Sequence, residues 1–276
     1  MKSKHIIILM LGLLFPILAT AQTNVALAPE FGGRISLSLD KRITRGLHIS
    51  LEEEVRFDNN FSSLDRLQTT VALSYKVHPN IKLGLGYALI NGYGASTESF
   101  KSMRHRLMAD ITGTIHYGSW NFSLKERFQV TRRTGDFNVY QNPQNALTLK
   151  SRVKALYKGF GIVQPYAYFE VRNYLNAPVI ETAYDGNVYV TLDDYSEESD
   201  PGWFLKGFNG GYVNRLRGSL GADIRLDKRN TLNFYILCDY LMEKQVDANA
   251  EGTKLKSYTK ETGFRGWVGA RYEFAF

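Results

Sequence analysis

From about residue 33 to the last residue, the chain alternates apolar and polar side chains. Few folds accommodate that pattern over runs this long. Leu67, Thr69, Val71, Leu73, Tyr75 and Val77 share one parity, and Arg66, Gln68, Thr70, Ala72, Ser74 and Lys76 share the other. A strand sends successive side chains to opposite faces, so each set lies on one face. The pattern recurs around Leu47–Phe57, Leu107–Tyr117, Leu216–Leu226 and Leu232–Met242. Several runs alternate over ten or more residues. Strands of ordinary sheets average about 5–6 residues, whereas tilted membrane strands need about 9–11. The 17 Tyr and 16 Phe, against 7 Pro, suit pleated strands better than helices. One residue breaks the rule: Glu126 falls on the apolar side of Phe122, Leu124, Phe128 and Val130. A β-bulge or a position at a membrane edge would accommodate it.

The N-terminal residues read as a leader. Lys2 and Lys4 precede an apolar run, Ile6 to Leu18, which is followed by Ala19-Thr20-Ala21. The run is shorter than the roughly 20 residues of a spanning helix. The small-x-small triplet is the pattern cleaved in exported chains. A signal peptide over 1–21 and one domain over 22–276 are expected. The formal net charge is +7, of which Lys2 and Lys4 supply two, leaving +5. No basic run points to a nucleic-acid partner. Cys238 is the single cysteine, which excludes an internal disulfide and a cysteine-rich metal site.

Connections alternate between short and long. Thr44-Arg45-Gly46, His78-Pro79-Asn80, Gly118-Ser119, Lys158–Gly161 and Asp227–Asn230 are tight turns. Between them lie polar stretches at 59–63, 91–102, 133–146, 176–211 and 244–257. Short turns at one end and long loops at the other characterise outer-membrane barrels, with the short turns periplasmic. On this reading 176–211 is a long extracellular loop. The first strand, Gly33–Ile43, and the last both run toward the short-turn end. Antiparallel closure therefore needs a further strand, for which Asn24 to Phe31 is the expected source. The expected fold is an all-β, antiparallel, up-and-down transmembrane β-barrel of about 12 strands, an even number between ten and fourteen, with a polar lumen.

Period two does not reveal which face points outward. A water-exposed barrel or sandwich buries the apolar face, and a soluble periplasmic β-protein is the inverted alternative. Strand length and the mixed charge of the polar face favour the membrane arrangement. The early strands place Glu52, Glu54 and Arg56 on the polar face. The middle strands add Arg127, Lys150, Arg152, Glu170 and Arg172, and the late strands Arg215, Arg217, Asp223, Arg225 and Arg271. These residues are the candidate lumen charge belt. The Glu-x-Arg repeats Glu54/Arg56 and Glu170/Arg172 would either hold an anionic group or neutralise one another as ion pairs. The cationic excess suggests a narrow, anion-favouring diffusion pore, with a structural or surface-binding barrel as the other passive reading. No particular solute is legible.

A barrel that hydrolyses lipid needs a His and a Ser together on the outward face. Of His48, His78, His105 and His116, only His105 qualifies by parity. Its neighbour Ser102 has the opposite parity. No catalytic residue, metal site or cofactor is therefore assigned. The acidic run Asp193, Asp194, Glu197, Glu198 and Asp200 carries hard oxygen ligands suited to Ca²⁺, without the spacing of an EF-hand. Tyr184 to Val190 has the look of a small hairpin.

The terminal segment Arg271-Tyr272-Glu273-Phe274-Ala275-Phe276 resembles the assembly signal of outer-membrane barrels, with Phe276 as its terminal aromatic. Leu51-Glu52-Glu53-Glu54-Val55-Arg56-Phe57, Arg104-His105-Arg106-Leu107, Lys125-Glu126-Arg127-Phe128 and Gln164 to Arg172 occur in an order that resembles the domain-of-unknown-function family 2490, DUF2490. The resemblance covers about Phe31 to Phe276. It implies a barrel in the cell outer membrane of a Gram-negative bacterium, with lipid, lipopolysaccharide and the barrel assembly machinery as partners. It implies no activity.

Overall fold

The computed structural model describes residues 24–94, 97–135, 137–184, 188–191, 203–250 and 255–276. The expected leader over 1–21 lies outside them. All regular elements among the described residues are strands. They are β1 (Asn24–Ala26), β2 (Glu30–Thr44), β3 (Leu47–Asp58), β4 (Ser63–His78), β5 (Ile81–Gly94), β6 (Ser99–Phe100) and β7 (Arg104–Tyr117). There follow β8 (Trp120–Arg132), β9 (Asn145–Tyr157), β10 (Val163–Tyr184), β11 (Val188–Thr191), β12 (Trp203–Arg225), β13 (Asn230–Ala248) and β14 (Leu255–Ala275).

Eleven strands close a barrel in the order β2-β3-β4-β5-β7-β8-β9-β10-β12-β13-β14 and back to β2. Consecutive strands alternate in direction, so an odd number leaves the first and last parallel. Glu30–Asp40 of β2 accordingly pairs in parallel with Arg265–Ala275 of β14. The residues expected to supply a twelfth, antiparallel strand do something else. Asn24–Ala26 forms β1, which pairs in parallel with Lys260–Thr262 and prolongs the same seam upward. Pro29 lies in the break between β1 and β2, where a residue without an N–H interrupts a ladder readily.

The polar face is the inner one. Ile35, Leu85 and Ile115 are 60%, 64% and 68% exposed on the outside, while Ser38, Glu170 and Asp239 on the inside are 1%, 2% and 3% exposed. This overturns the alternative in which the apolar face is buried. Glu126 requires no bulge: the ladder through it is regular on both sides, and its Oε2 accepts a hydrogen bond of 2.6 Å from Ser151 Oγ, its direct neighbour on β9. Glu53, also outward, accepts from Thr69 Oγ1 at 2.9 Å. The two outer-face carboxylates are thus each met by a hydroxyl on the next strand.

Large inward side chains lie across glycines of neighbouring strands. Tyr235 faces Gly269, where a Cβ would collide with the tyrosine ring. Trp267 covers Gly32 in the same way. This packs wide aromatics into a narrow lumen without spreading the strands. The short turns rest on glycine where φ is positive, at Gly46 (81°) and Gly118 (55°).

The opposite end differs from expectation. Much of 176–211 is strand rather than loop, since β10 continues to Tyr184 and β12 begins at Trp203. At 22 and 23 residues, both exceed what a bilayer requires. The ladder between them shifts register repeatedly between Arg172 and Ile180. Those irregularities mark where the regular barrel gives way to a projecting hairpin. The small hairpin expected from Tyr184 is present as Glu181–Tyr184 paired with β11. The acidic run 193–200 lies outside the described residues. Likewise β13 and β14 extend into the region read as the loop 244–257.

Candidate functional site: the charged lumen

The barrel interior collects the polar side chains of all eleven strands, because each strand contributes every second residue to it. Its short-turn half encloses a cavity of about 620 Å³. Eleven Arg and Lys side chains border this cavity against six Asp and Glu. Above and around it lies a layer of nearly buried groups, among them Arg34, Glu54, Glu170, Arg215, Arg217 and Asp239. The lumen narrows there to a mesh of ion pairs.

The mesh is built on two acceptors. Glu170 Oε2 accepts from Arg152 Nε at 2.9 Å and Nη2 at 2.5 Å, and its Oε1 accepts from Arg215 Nη2 at 2.8 Å. Asp239 accepts from Arg217 Nε at 2.6 Å and Nη2 at 2.8 Å. Arg215 Nε lies 3.7 Å from Asp239 Oδ1, which joins the two halves. The guanidinium of Arg152 also stacks 4.4 Å above the Tyr168 ring. On the other wall, Arg127 grips Asp110 through two bonds of 2.6 and 2.7 Å, and Lys125 Nζ reaches the same carboxylate at 2.8 Å. Charge-assisted, two-point contacts of this kind are the strong ones.

The two Glu-x-Arg repeats turn out unlike each other. Glu54 and Arg56 do pair, at 2.5 Å. Glu170 and Arg172 do not. Arg172 instead donates to Asn214 Oδ1 at 2.7 Å and to Glu243 at 3.4 Å. Asn214 occupies the irregularity at Arg172/Asn173, where β12 has an extra residue. Laterally adjacent strands lie about 4.8 Å apart, closer than residues two apart along one strand. Cross-strand acids therefore compete well with the sequence-near one.

The remaining candidates also find places. Glu52 lies 3.5 Å from Arg271, which further contacts Glu273 at 3.2 Å and Ser38 Oγ at 3.1 Å. Asp223 accepts from Asn233 at 2.7 Å and lies 3.9 Å from Lys154. Lys150 faces the lumen but makes no hydrogen bond or ion pair among the described residues. Arg225 ends β12 at the short-turn end, opposite Thr231, and is solvent-exposed there rather than engaged in the ion-pair mesh. Asp110, Asp239, Arg34, Arg106 and Lys125 belong to the lining and were not among the candidates, although their parity marks them as inward. The Arg34 guanidinium lies 4.3 Å over the Trp267 ring, and its Nε has no acceptor.

Two further features bear on passage through the barrel. The 133–144 connection reaches over to the β13–β14 end. Asn138 Nδ2 donates to the carbonyls of Ala248 and Asn249 at 2.9 and 3.0 Å, and Gln141 Nε2 donates to Asp247 Oδ1 at 2.5 Å. Those strands are separated around the wall by β10 and β12, so the contact bridges the mouth. His105, the candidate for lipid hydrolysis, hydrogen-bonds Tyr87 Oη through Nδ1 at 2.6 Å, not Ser102. Among the described residues no three His, Cys, Asp or Glu converge as metal ligands would.

A family model described as "Protein of unknown function (DUF2490)" matches residues 34–191, more than half of the chain. No curated protein matches the chain.

Proposed function

The chain belongs to the DUF2490 family, whose description assigns no function, and from that premise we propose that it is an outer-membrane β-barrel forming a narrow, anion-favouring passage. The observation that carries the reading is the cationic excess on the cavity wall, eleven basic side chains against six acidic. A low-dielectric wall strengthens such a field and concentrates counter-ions. The membrane part rests on the apolar outer face, whose strands are long enough to cross a bilayer. At the short-turn end Trp120 and Tyr157 meet at 4.9 Å, as do Tyr157 and Phe160. Aromatics of this kind suit the headgroup level. Phe276, exposed beside Phe274 at 4.8 Å, is proposed as the segment the assembly machinery reads, with lipid and lipopolysaccharide as the surrounding partners.

The belt and the bridged mouth make the passage restrictive, so small solutes are the class it admits. Passive transport needs no cofactor. Planar-bilayer recording in a chloride gradient tests the proposal. Stable conductance with a reversal potential on the anion side is expected. Absence of conductance from a folded barrel, or cation preference, would overturn it.

A further inference from the structure

A second, smaller cavity of about 30 Å³ opens in the lumen wall, bordered by Lys125, Arg127, Lys150, Arg152 and Glu170. A single buried water needs roughly 10–15 Å³, so there is room for one small polyatomic ion. The charges around it do not balance. Among the described residues, only two carboxylates touch its cations. Asp110 is held by Arg127 and Lys125, and Glu170 by Arg152, with Arg215 drawing on Glu170 from behind.

The four lining cations and Arg215 share these two carboxylates, so positive charge is in excess here. The clearest case is Lys150, which lines the cavity with Glu170 but makes no hydrogen bond or ion pair among the described residues. In the ladders it stands between Arg127 on β8 and Arg172 on β10, so both lateral neighbours are cations as well. Arg106 on β7 has, among the described residues, only a hydroxyl partner, Thr131 Oγ1 at 3.0 Å. Donors are also left over. Among the described residues, Arg127 Nη1 has only the Met108 sulfur at 3.5 Å, and Arg152 uses Nε and Nη2 for Glu170 while Nη1 takes no acceptor. Partly desolvated cations require an anion or an acceptor, and the chain's own acids here are already engaged.

We propose that this cavity binds a small divalent oxyanion, of the class of inorganic phosphate or sulfate, with Lys150 as the central contact and Arg127 and Arg152 flanking it. Spare guanidinium N–H groups suit the oxygens of a tetrahedral anion, and a doubly charged anion offsets more of the local excess than a single chloride does. The inference rests on the anion-favouring reading of the lumen and names its preferred solute.

The test is binding of inorganic phosphate to the protein in detergent, followed by phosphorus-31 line broadening and by calorimetry, with folding checked by heat-modifiable gel migration. Saturable phosphate binding is expected, displaced by sulfate at comparable concentration and by chloride only at concentrations at least tenfold higher. Lys150→Gln should weaken it at least tenfold, and Lys150→Arg should retain most of it. Lys228→Gln, the same charge change in an exposed turn, should leave it unaltered. Absence of saturable phosphate binding by the folded wild-type protein would overturn the site, as would equal binding by Lys150→Gln. Bilayer recording separates the two readings. Phosphate binding without chloride conductance refutes the passage and keeps the site, whereas anion-selective conductance without phosphate binding does the reverse.

Discussion

Arg217 on β12 and Asp239 on β13 stand directly opposite each other inside the barrel and share two hydrogen bonds, of 2.6 and 2.8 Å. Both side chains are nearly excluded from solvent, at 8% and 4% exposure. Removing one partner leaves the other charge buried. Asp239→Ala is therefore expected to destabilise the barrel by about 3–5 kcal/mol. Replacing both, as Arg217→Met with Asp239→Leu, should restore most of the loss. Urea unfolding of the protein in lipid vesicles checks both values.

Glu170 neutralises Arg152 and Arg215 together. Glu170→Gln keeps the shape and removes the charge. Single-channel recording should show a reversal potential displaced further to the anion side. Unfolding should show a loss of about 3 kcal/mol, the lower end expected for breaking a buried ionic cluster. An unchanged or cation-shifted potential would sink the idea that lumen charge sets selectivity.

On the outer face, Leu220 and Ile236 are direct neighbours, and both are exposed. If this face meets hydrocarbon, Ile236→Arg should lower folding stability in vesicles by about 2–4 kcal/mol. Tyr117→Arg, on the outer face at the short-turn end of β7, should cost only about 0–1 kcal/mol. Equal effects at the two positions would argue against a membrane-embedded band.

Asp227 organises the β12–β13 turn. Its Oδ1 accepts from the backbone N–H groups of Arg229 and Asn230 at 2.6 and 2.8 Å, and its Oδ2 accepts from the Asn230 amide at 2.6 Å. The Arg229 N–H bond foremost, with those from Asn230, holds this carboxyl below the usual range. A carboxyl lowered on folding stabilises above its unfolded pKa and loses that contribution as pH falls through the folded value. The stability gap between wild type and Asp227→Ala should be present at neutral pH and should shrink on acidification below the ordinary carboxylate range. Parallel thermal scans at pH 7 and in strong acid check this.

The bridge over the mouth rests on Asn138 and Gln141. Each bond is worth about 0.5–1.5 kcal/mol, so Asn138→Ala with Gln141→Ala should loosen the crossing without unfolding the wall. Higher single-channel conductance from a barrel that still folds, with a modest loss of thermal stability, is the expected outcome. Unchanged conductance would place the restriction in the belt alone.

The charge belt shows how far the chain could be read unaided. Parity alone puts Glu52, Arg152 and Asp239 on the polar face and Ile35 on the apolar one, since alternation along a strand is local. It does not tell which inward groups meet. Glu170 has Arg172 two residues away and binds Arg152 and Arg215 instead, because neighbouring strands decide contacts in a sheet. Lys150 reads no differently from Lys154, yet one lacks an acceptor and the other lies near Asp223.

The sequence by itself determined the strands, their two faces, the short turns at one end and membership of the barrel class. All of these follow from backbone geometry over a few residues. Only the tertiary structure decided that β14 meets β2 in parallel, with eleven strands rather than an even number. It also decided that β10 and β12 outrun the barrel and that the lumen cations outnumber their partners around one small cavity. Closure joins residues more than two hundred positions apart, and the stagger between strands sets which side chains stand level. Neither quantity is encoded in any one segment.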